Sequence, residues 1–397
     1  MTRSPSPTAP LVVIGGLEYA DGVNQTTLHT VRESARHRPT LYLYSERSLA
    51  LTSIVGRRQP GMGASPATPS RIARALLPWD RPPSPRPNVT LAPLRGPRAL
   101  LPISQPEPLR RSNLRYLTRT INRWASRHDE APMLAFYWWF FPELLERVPH
   151  SRAVYDCIDE HSAYPNARPG TDRQSQLEQQ LLDGVNRSFV VADALLPGRA
   201  ATGRRIDVLP NGFDLSLLPP TAPEARPAGA RPVVGYAGGL GDRIDAALME
   251  RVARAHPEWD FRFVGGDPET LPPTLRALPN VTCTGQRPYS EVLREVSRFD
   301  VALVPFRVTD FTLGNSLLKL LDYFAFGVPV VSTPLPEPVE LSRQPVPLAA
   351  VAADADGFGT AIRQALGEPA NAPARSARIA WVRDRSTAAR TARLLAD

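Results

Sequence analysis

Lys319 is the only lysine in a chain of 397 residues whose Lys and Arg together number 47. A compact ammonium on a flexible stem can approach a phosphate as a point charge where a planar guanidinium does not fit. Asp322 follows three residues later, so a helix through both would present the cation and a carboxylate on one face. A second cluster, Asp156, Asp159, Glu160 and His161, puts four titratable side chains within six residues, as the rim of an acid–base site requires. The plainer reading of that cluster has Asp156 capping local backbone and Glu160 facing water. Gly238 and Gly239 would let backbone approach an anion closely, and Arg243 just beyond them either adds positive charge there or faces solvent at a helix start. Gly15 and Gly16 either line the same cleft or make a simple strand-to-helix turn. Asn211-Gly212 reads as a tight turn, structural rather than catalytic.

These residues need strand ends and helix starts to hold them. Apolar runs predict strands over 11–14, 40–44, 133–137, 153–155, 188–191 and 206–209, then over 232–237, 261–264, 281–284, 301–304 and 329–332. Helical periodicity is expected over 23–37, 109–128, 173–186, 244–255, 289–298, 315–326 and 374–395. The Pro-, Gly- and Arg-rich stretch 55–108 reads as an irregular excursion. The prolines between Pro219 and Pro232 read as a stiff linker. The pattern predicts an α/β chain in four parts: 1–218, a linker 219–232, a second doubly wound unit 233–373, and a C-terminal helix 374–397. Glycine-ended strands opening onto helix N-termini form the geometry that binds nucleotide phosphates.

Hydrophobic content of 42% and charged content of 22% suit a globular protein. No run of 18 apolar residues exists, and the first apolar run, Leu11–Ile14, is too short for a signal-peptide core, so a cytoplasmic location is expected. Cys157 and Cys283 have no metal-ligand spacing, and no metal is expected. The net charge of +8 is uneven: residues 1–150 hold 20 Arg against 10 acids, whereas the rest is slightly acidic. Arg111, Arg115, Arg119, Arg123 and Arg127 recur every four residues in the helix expected over 109–128, opposite Leu114, Leu117, Ile121 and Trp124. The stripe is either a surface for anionic lipid or an ordinary solvated helix face. Nucleic acid is not an expected partner, because no aromatic–basic recognition motif accompanies the charge.

Seven segments in order then resemble the GT-B glycosyltransferases that use nucleotide sugars, most of all the teichuronic-acid-biosynthesis type. They are Val154-Tyr-Asp-Cys-Ile-Asp-Glu160, Val208-Leu-Pro-Asn-Gly-Phe-Asp214, Val234-Gly-Tyr-Ala-Gly-Gly-Leu240, Phe263-Val-Gly-Gly266, Asn280-Val-Thr-Cys-Thr-Gly-Gln-Arg-Pro-Tyr289, Phe299-Asp-Val-Ala-Leu-Val-Pro-Phe306, and the long run from Asn315 and Ser316 through Lys319 and Asp322 to Thr333. The resemblance implies two Rossmann-like domains facing a cleft, the first holding an acceptor and the second a nucleotide sugar, with the last helix returning to the first domain. It implies that Lys319 meets the donor diphosphate and that Asp322, an Asp where Glu is usual, binds the ribose hydroxyls. Asn315, Ser316, Gly238, Gly239 and Arg243 complete the implied donor site. The second Glu that retaining members often carry eight residues earlier is Gly314 here. A weaker similarity to the xanthan-type glucuronosyltransferase implies that Asp159 is the base; Asp156 and His161 beside it, with Gly15 and Gly16, are the expected acceptor-side cleft residues.

The expected function is therefore metal-independent, inverting transfer of a hexosyl group from a uridine or thymidine diphosphate sugar, with no resident cofactor. The acceptor would be a lipid-linked saccharide, with the protein peripheral on the inner membrane face through residues 109–128, or a natural product. The resulting pathway would be cell-surface polysaccharide, glycolipid or natural-product biosynthesis. A non-catalytic scaffold that activates a partner enzyme and a nucleotide-sugar epimerase are the alternatives.

Overall fold

The computed structural model describes residues 8–15, 25–44, 87–93, 107–159, 172–199, 204–218, 229–314, 316–369 and 371–396. Two parallel sheets organise them. The first contains β1 (Leu11–Ile14), β2 (Thr40–Tyr44), β3 (Val89–Pro93), β4 (Met133–Phe136), β5 (Arg152–Cys157), β6 (Arg187–Val190) and β7 (Ile206–Val208). The second contains β8 (Val233–Ala237), β9 (Asp260–Val264), β10 (Val281–Cys283), β11 (Val301–Val304), β12 (Val330–Ser332) and β13 (Ala349–Val351). The strand orders are β3-β2-β1-β4-β5-β6-β7 and β10-β9-β8-β11-β12-β13. Each order reverses once, between β1 and β4 and between β8 and β11, where a doubly wound sheet opens a crevice beyond its strand ends.

The apolar runs explain the central strands. Leu11–Ile14 and Val301–Val304 are buried along their whole length, as β-branched and leucine side chains must be when helices cover both faces. Helices of eight residues or more are α1 (Thr26–Ser34), α2 (Glu107–Ala125), α3 (Asp172–Gly184), α4 (Ala246–Ala255), α5 (Tyr289–Val296), α6 (Leu318–Ala325), α7 (Ala355–Leu366), α8 (Pro373–Arg383) and α9 (Thr387–Leu395). Asp245, Asp354 and Ser386 cap α4, α7 and α9 by accepting the N–H of Leu248, Gly357 and Ala389.

Three features differ from the sequence reading. β3 lies inside the stretch expected to be irregular and pairs in parallel with β2. β13 and α7 were not foreseen. The C-terminal helix is two helices, broken at Asp384 and Arg385. α8 stays with the second sheet: buried Arg378 donates to the Gly327 carbonyl at 3.0 Å and pairs with Glu368, and Trp381 meets Phe324 edge-on. α9 then crosses to the first sheet, as expected. Leu394 is buried with Leu11, Val13 and Val154, and the backbone of Phe213 bonds to both Arg385 and Thr387. Most of the residues expected to form the linker, 219–228, lie outside the described residues.

Candidate active site

The crevice between β8 and β11 collects most of the expected donor residues. α6 begins just after Leu317, whose N–H is held by the Glu337 carboxylate at 2.9 Å. Burial pushes that carboxyl up to about 7, against the pull of the Leu317 N–H. The anchored helix start delivers Lys319 to the end of the second sheet. Its Nζ lies 4.3 Å from the Phe306 ring centre and 5.6 Å from that of Tyr236. Tyr236 belongs to β8 and Phe306 follows β11, so the ammonium sits over the reversal point itself. Lys319 makes no ion pair among the described residues. Burial, and secondly the Arg243 guanidinium, pull its pKa down to about 7, while Asp322 acts the other way.

Two glycine loops form the wall beside this cation. Gly238 has φ +143°, and a Cβ there would lie 3.6 Å from the Lys319 Cε and 3.1 Å from the Tyr236 hydroxyl. A Cβ at Gly265, φ +99°, would lie 2.8 Å from the Gly238 carbonyl. The loops therefore touch backbone to backbone, which only glycine permits. Gly239 is exposed, a Cβ added there would meet nothing within 4 Å, and its carbonyl accepts the Tyr236 hydroxyl at 2.8 Å. Arg243 is exposed, stacked 4.6 Å over Phe311 of the short helix Asp310–Leu313 after β11. An exposed glycine, a desolvated ammonium and a stacked guanidinium around one opening form an environment for a polyanion.

Asp322 lies one turn further along α6. It is 5% exposed, and its Oδ1 accepts the Tyr289 hydroxyl at 2.5 Å. Ser316 is half-buried, and its carbonyl accepts the Asn211 amide at 3.5 Å, a bond that joins the two halves of the chain. Asn211 also accepts the Thr26 hydroxyl of α1. The turn that looked merely structural thus ties α1 to the loop leading into α6. Asn315 lies outside the described residues.

The expected acceptor residues are placed differently. Asp159 is half-buried two residues beyond β5, and its carbonyl accepts the Cys157 thiol at 3.4 Å. Asp156 is not on an open rim: it is fully buried, and Arg390 of α9 donates to its Oδ2 at 2.7 Å. Burial raises its pKa, with Arg390 pulling the other way. Arg390 also donates to the carbonyls of Pro210 and Leu209. The physical reason for the correction is distance in sequence: Asp156 meets a partner 234 residues away. Gly15 also differs from a cleft-lining residue, since a Cβ there would lie 2.3 Å from the Tyr42 ring. Its glycine allows β1 to pack on β2. Gly16, Glu160 and His161 lie outside the described residues. Sequence reasoning passed over His29 of α1, buried and pulled down to about 4 by burial and then by Arg32.

On α2, Leu114, Leu117, Ile121 and Trp124 are buried, while Arg111, Arg115, Arg119 and Arg123 are exposed; Arg127, also exposed, lies in the turn beyond the helix, which ends at Ala125 rather than at 128. Arg111 pairs with Glu107 at 3.0 Å, whereas Arg115, Arg119 and Arg123 have no carboxylate partner among the described residues. No helix of the described residues is long and apolar enough to cross a membrane. No group of three or more His, Cys, Asp or Glu among them could hold a metal ion.

Residues 231–368 match the family model of glycosyl transferases group 1. The provisionally named teichuronic acid biosynthesis glycosyltransferase TuaH of Bacillus subtilis (strain 168) is 24% identical over 238 residues, which cover 55% of this chain and 59% of that protein. The chain thus matches less than two thirds of that relative's length. Sucrose-phosphate synthase from Thermosynechococcus elongatus superposes with a TM-score of 0.62 at 16% identity over 97% of each chain. HepE of Anabaena, solved with UDP and glucose, superposes with a TM-score of 0.61 at 14% identity over 96% of this chain and 97% of that one. At these identities the structural likeness establishes the fold. The chain has the GT-B architecture of two Rossmann-like domains, and the match to the glycosyl transferases group 1 model falls on the second of them.

Proposed function

We propose that this protein transfers a sugar from a nucleoside diphosphate to a hydroxyl acceptor. The observation that carries the reading is the position of Lys319, desolvated between Phe306 and Tyr236 beside the Gly238–Gly239 loop. A half-buried ammonium with no ion pair among the described residues gains much from an incoming anion. A diphosphate would return the charge stabilisation that burial removed. Arg243, on its Phe311 platform, adds a second positive charge to the leaving group. Asp322 receives the ribose hydroxyls, so the diphosphate and ribose ends of the donor span one helical turn.

The reaction needs no metal in this reading, because Lys319, Arg243 and backbone N–H groups carry the diphosphate charge. Asp159, beyond β5 of the first domain, takes the acceptor proton as the anomeric carbon inverts. Gly314, buried at the end of the short helix Asp310–Leu313, leaves no carboxylate at the position of the second glutamate of retaining relatives. The donor nucleotide is uridine or thymidine diphosphate, a choice supported by the UDP bound in HepE. The TuaH relative supports an acceptor in cell-surface polysaccharide synthesis. Arg115, Arg119 and Arg123 would hold α2 against an anionic membrane that presents a lipid-linked acceptor.

A thermal-shift screen against UDP, dTDP, GDP and ADP tests the donor reading. UDP or dTDP should stabilise the wild type, and Lys319→Arg should weaken the effect; an equal shift in the variant refutes the phosphate role. Sedimentation with vesicles containing phosphatidylserine tests the membrane reading. Binding should disappear when Arg115, Arg119 and Arg123 become Glu, and a wild type that stays in the supernatant refutes it.

A further inference from the structure

One side chain of the second crevice reaches both the cation and the loop beside it. Tyr236 of β8 is buried, its ring tilted against Phe263 and Phe306 at centre distances of 6.2 and 6.3 Å. The Lys319 ammonium lies over that ring, and the hydroxyl donates to the Gly239 carbonyl at 2.8 Å. Burial raises the pKa of the phenol, against the pull of Arg243, so it stays protonated and donating through neutral pH. Gly239 itself is exposed, in a loop that holds Gly238 and Gly241 at φ +143° and +154°. A peptide between glycines turns over with little steric resistance. The Tyr236 hydroxyl is the one donor to the Gly239 carbonyl among the described residues. At the other end of the same peptide, a Cβ on Gly266 would collide with the Leu240 nitrogen, so bare backbone packs there.

We propose that Tyr236 is a positioning residue of the phosphate loop: its hydroxyl holds the Gly239 carbonyl so that the loop does not turn an oxygen toward the donor diphosphate. The inference rests on the reading of Lys319 and the Gly238–Gly239 loop as the diphosphate site. A carbonyl oxygen carries partial negative charge, and beside a diphosphate in a partly desolvated crevice it would oppose binding. The peptide is planar and trans, so fixing its carbonyl also fixes the Leu240 N–H, facing the opposite way. A buried donor on a central strand sets this arrangement before any ligand arrives, and dipoles already in place need no reordering on binding. Ring and hydroxyl thus serve one anion by separate routes, the first beneath the ammonium and the second on the loop.

The test compares the diphosphate that stabilises the wild type more, UDP or dTDP, with its parent nucleoside, by calorimetry with displacement titration for the weaker ligand. The proteins are wild type, Tyr236→Phe, Lys319→Met and the double variant. Tyr236→Phe keeps the ring and removes only the hydroxyl. It should lower diphosphate affinity by about three- to tenfold, the scale of one neutral hydrogen bond. Nucleoside affinity and apo Tm should stay unchanged, because the exposed Gly239 carbonyl can turn to water. The same loss should appear on the Lys319→Met background, since the hydroxyl acts through the loop. A wild type that binds neither diphosphate, or a preference for diphosphate over nucleoside that survives Lys319→Met undiminished, overturns the phosphate-site reading and the inference with it. A preference reduced by Lys319→Met but intact in Tyr236→Phe overturns the inference alone. So does a Tyr236→Phe variant that weakens diphosphate and nucleoside equally, the mark of a merely structural tyrosine, or one whose effect vanishes on the Lys319→Met background.

Discussion

The crevice between β1 and β4 and the crevice between β8 and β11 arise from the same strand order, yet their contents are opposite. At the first, Gly15 is pressed against Tyr42, the Tyr137 hydroxyl is bonded to Thr30 at 2.6 Å, and Asp156 is neutralised by Arg390. At the second, Gly239 is open, Gly238 leaves room beside Lys319, and the ammonium makes no ion pair among the described residues. A buried charge with its partner built into the chain belongs to the fold; a half-buried ammonium with no ion pair among the described residues is poised for a ligand. Topology creates two potential sites, and side-chain pairing determines which of them remains available.

Breaking the ion pair at the first crevice should have the largest effect. Arg390→Ala leaves Asp156 charged and buried, and should lower stability by about 3–5 kcal/mol, read by chemical denaturation. A loss below about 1 kcal/mol would show that α9 is held by apolar packing instead. The equivalent change at the second crevice should have the opposite sign: Lys319→Met removes a desolvated cation, so the apo protein should melt no lower than wild type at pH 7. UDP affinity should fall by about tenfold to a hundredfold, the range for a hydrogen bond to a charged group. A marked fall in apo Tm would mean that Lys319 is a structural residue like Arg390.

The glycines sharpen the same contrast at a smaller scale. Gly15→Ala forces a methyl into the Tyr42 ring and should cost about 1–3 kcal/mol of stability, with nucleotide affinity unchanged. Gly239→Ala has open space and should leave Tm unchanged while weakening UDP. Reversed outcomes would exchange the roles of the two crevices.

The smallest effect concerns pH. The pKa of Lys319 is lowered from 10.5 to about 7 in the free protein, and a bound diphosphate must raise it again. Binding therefore takes up a proton above pH 7. The ratio of wild-type to Lys319→Met affinity for UDP should be flat below about pH 7 and decline as pH rises beyond it, by up to about tenfold per unit until the pKa of the complex is reached. Taking the ratio cancels the titration of the nucleotide itself. A flat ratio up to pH 9 would show that the ammonium is not in contact with the anion.

Much of this was legible in the sequence. The central strands are short apolar runs, such as Leu11–Ile14 and Val301–Val304, and such runs need partners on both faces wherever they occur. The edges were less legible. β3 ends in Pro93 within a proline-rich stretch, and β13 is only Ala-Ala-Val, because an edge strand pairs on one side and needs little side-chain volume. α7 was hidden by Gly357 and Gly359, which weaken a helical pattern that Asp354 begins with a proper cap. The break between α8 and α9 fell within an Arg- and Ala-rich run whose periodicity hardly changes.

The local residues of the second site were determined by the sequence itself. Lys319 and Asp322 share α6, and Gly238, Gly239 and Arg243 lie within six residues after β8, so short-range geometry places each group. Only tertiary structure could decide the state of those groups. Whether a carboxylate is a base or a buried counter-ion depends on what packs against it, and Asp156 meets Arg390 from the far end of the chain. Lys319 is a desolvated cation because Phe306 and Tyr236 arrive from two other strand ends, and Asp322 is held because Tyr289 comes from a third element. Residue type and spacing specify which charges exist; burial and long-range partners specify which of them are already satisfied.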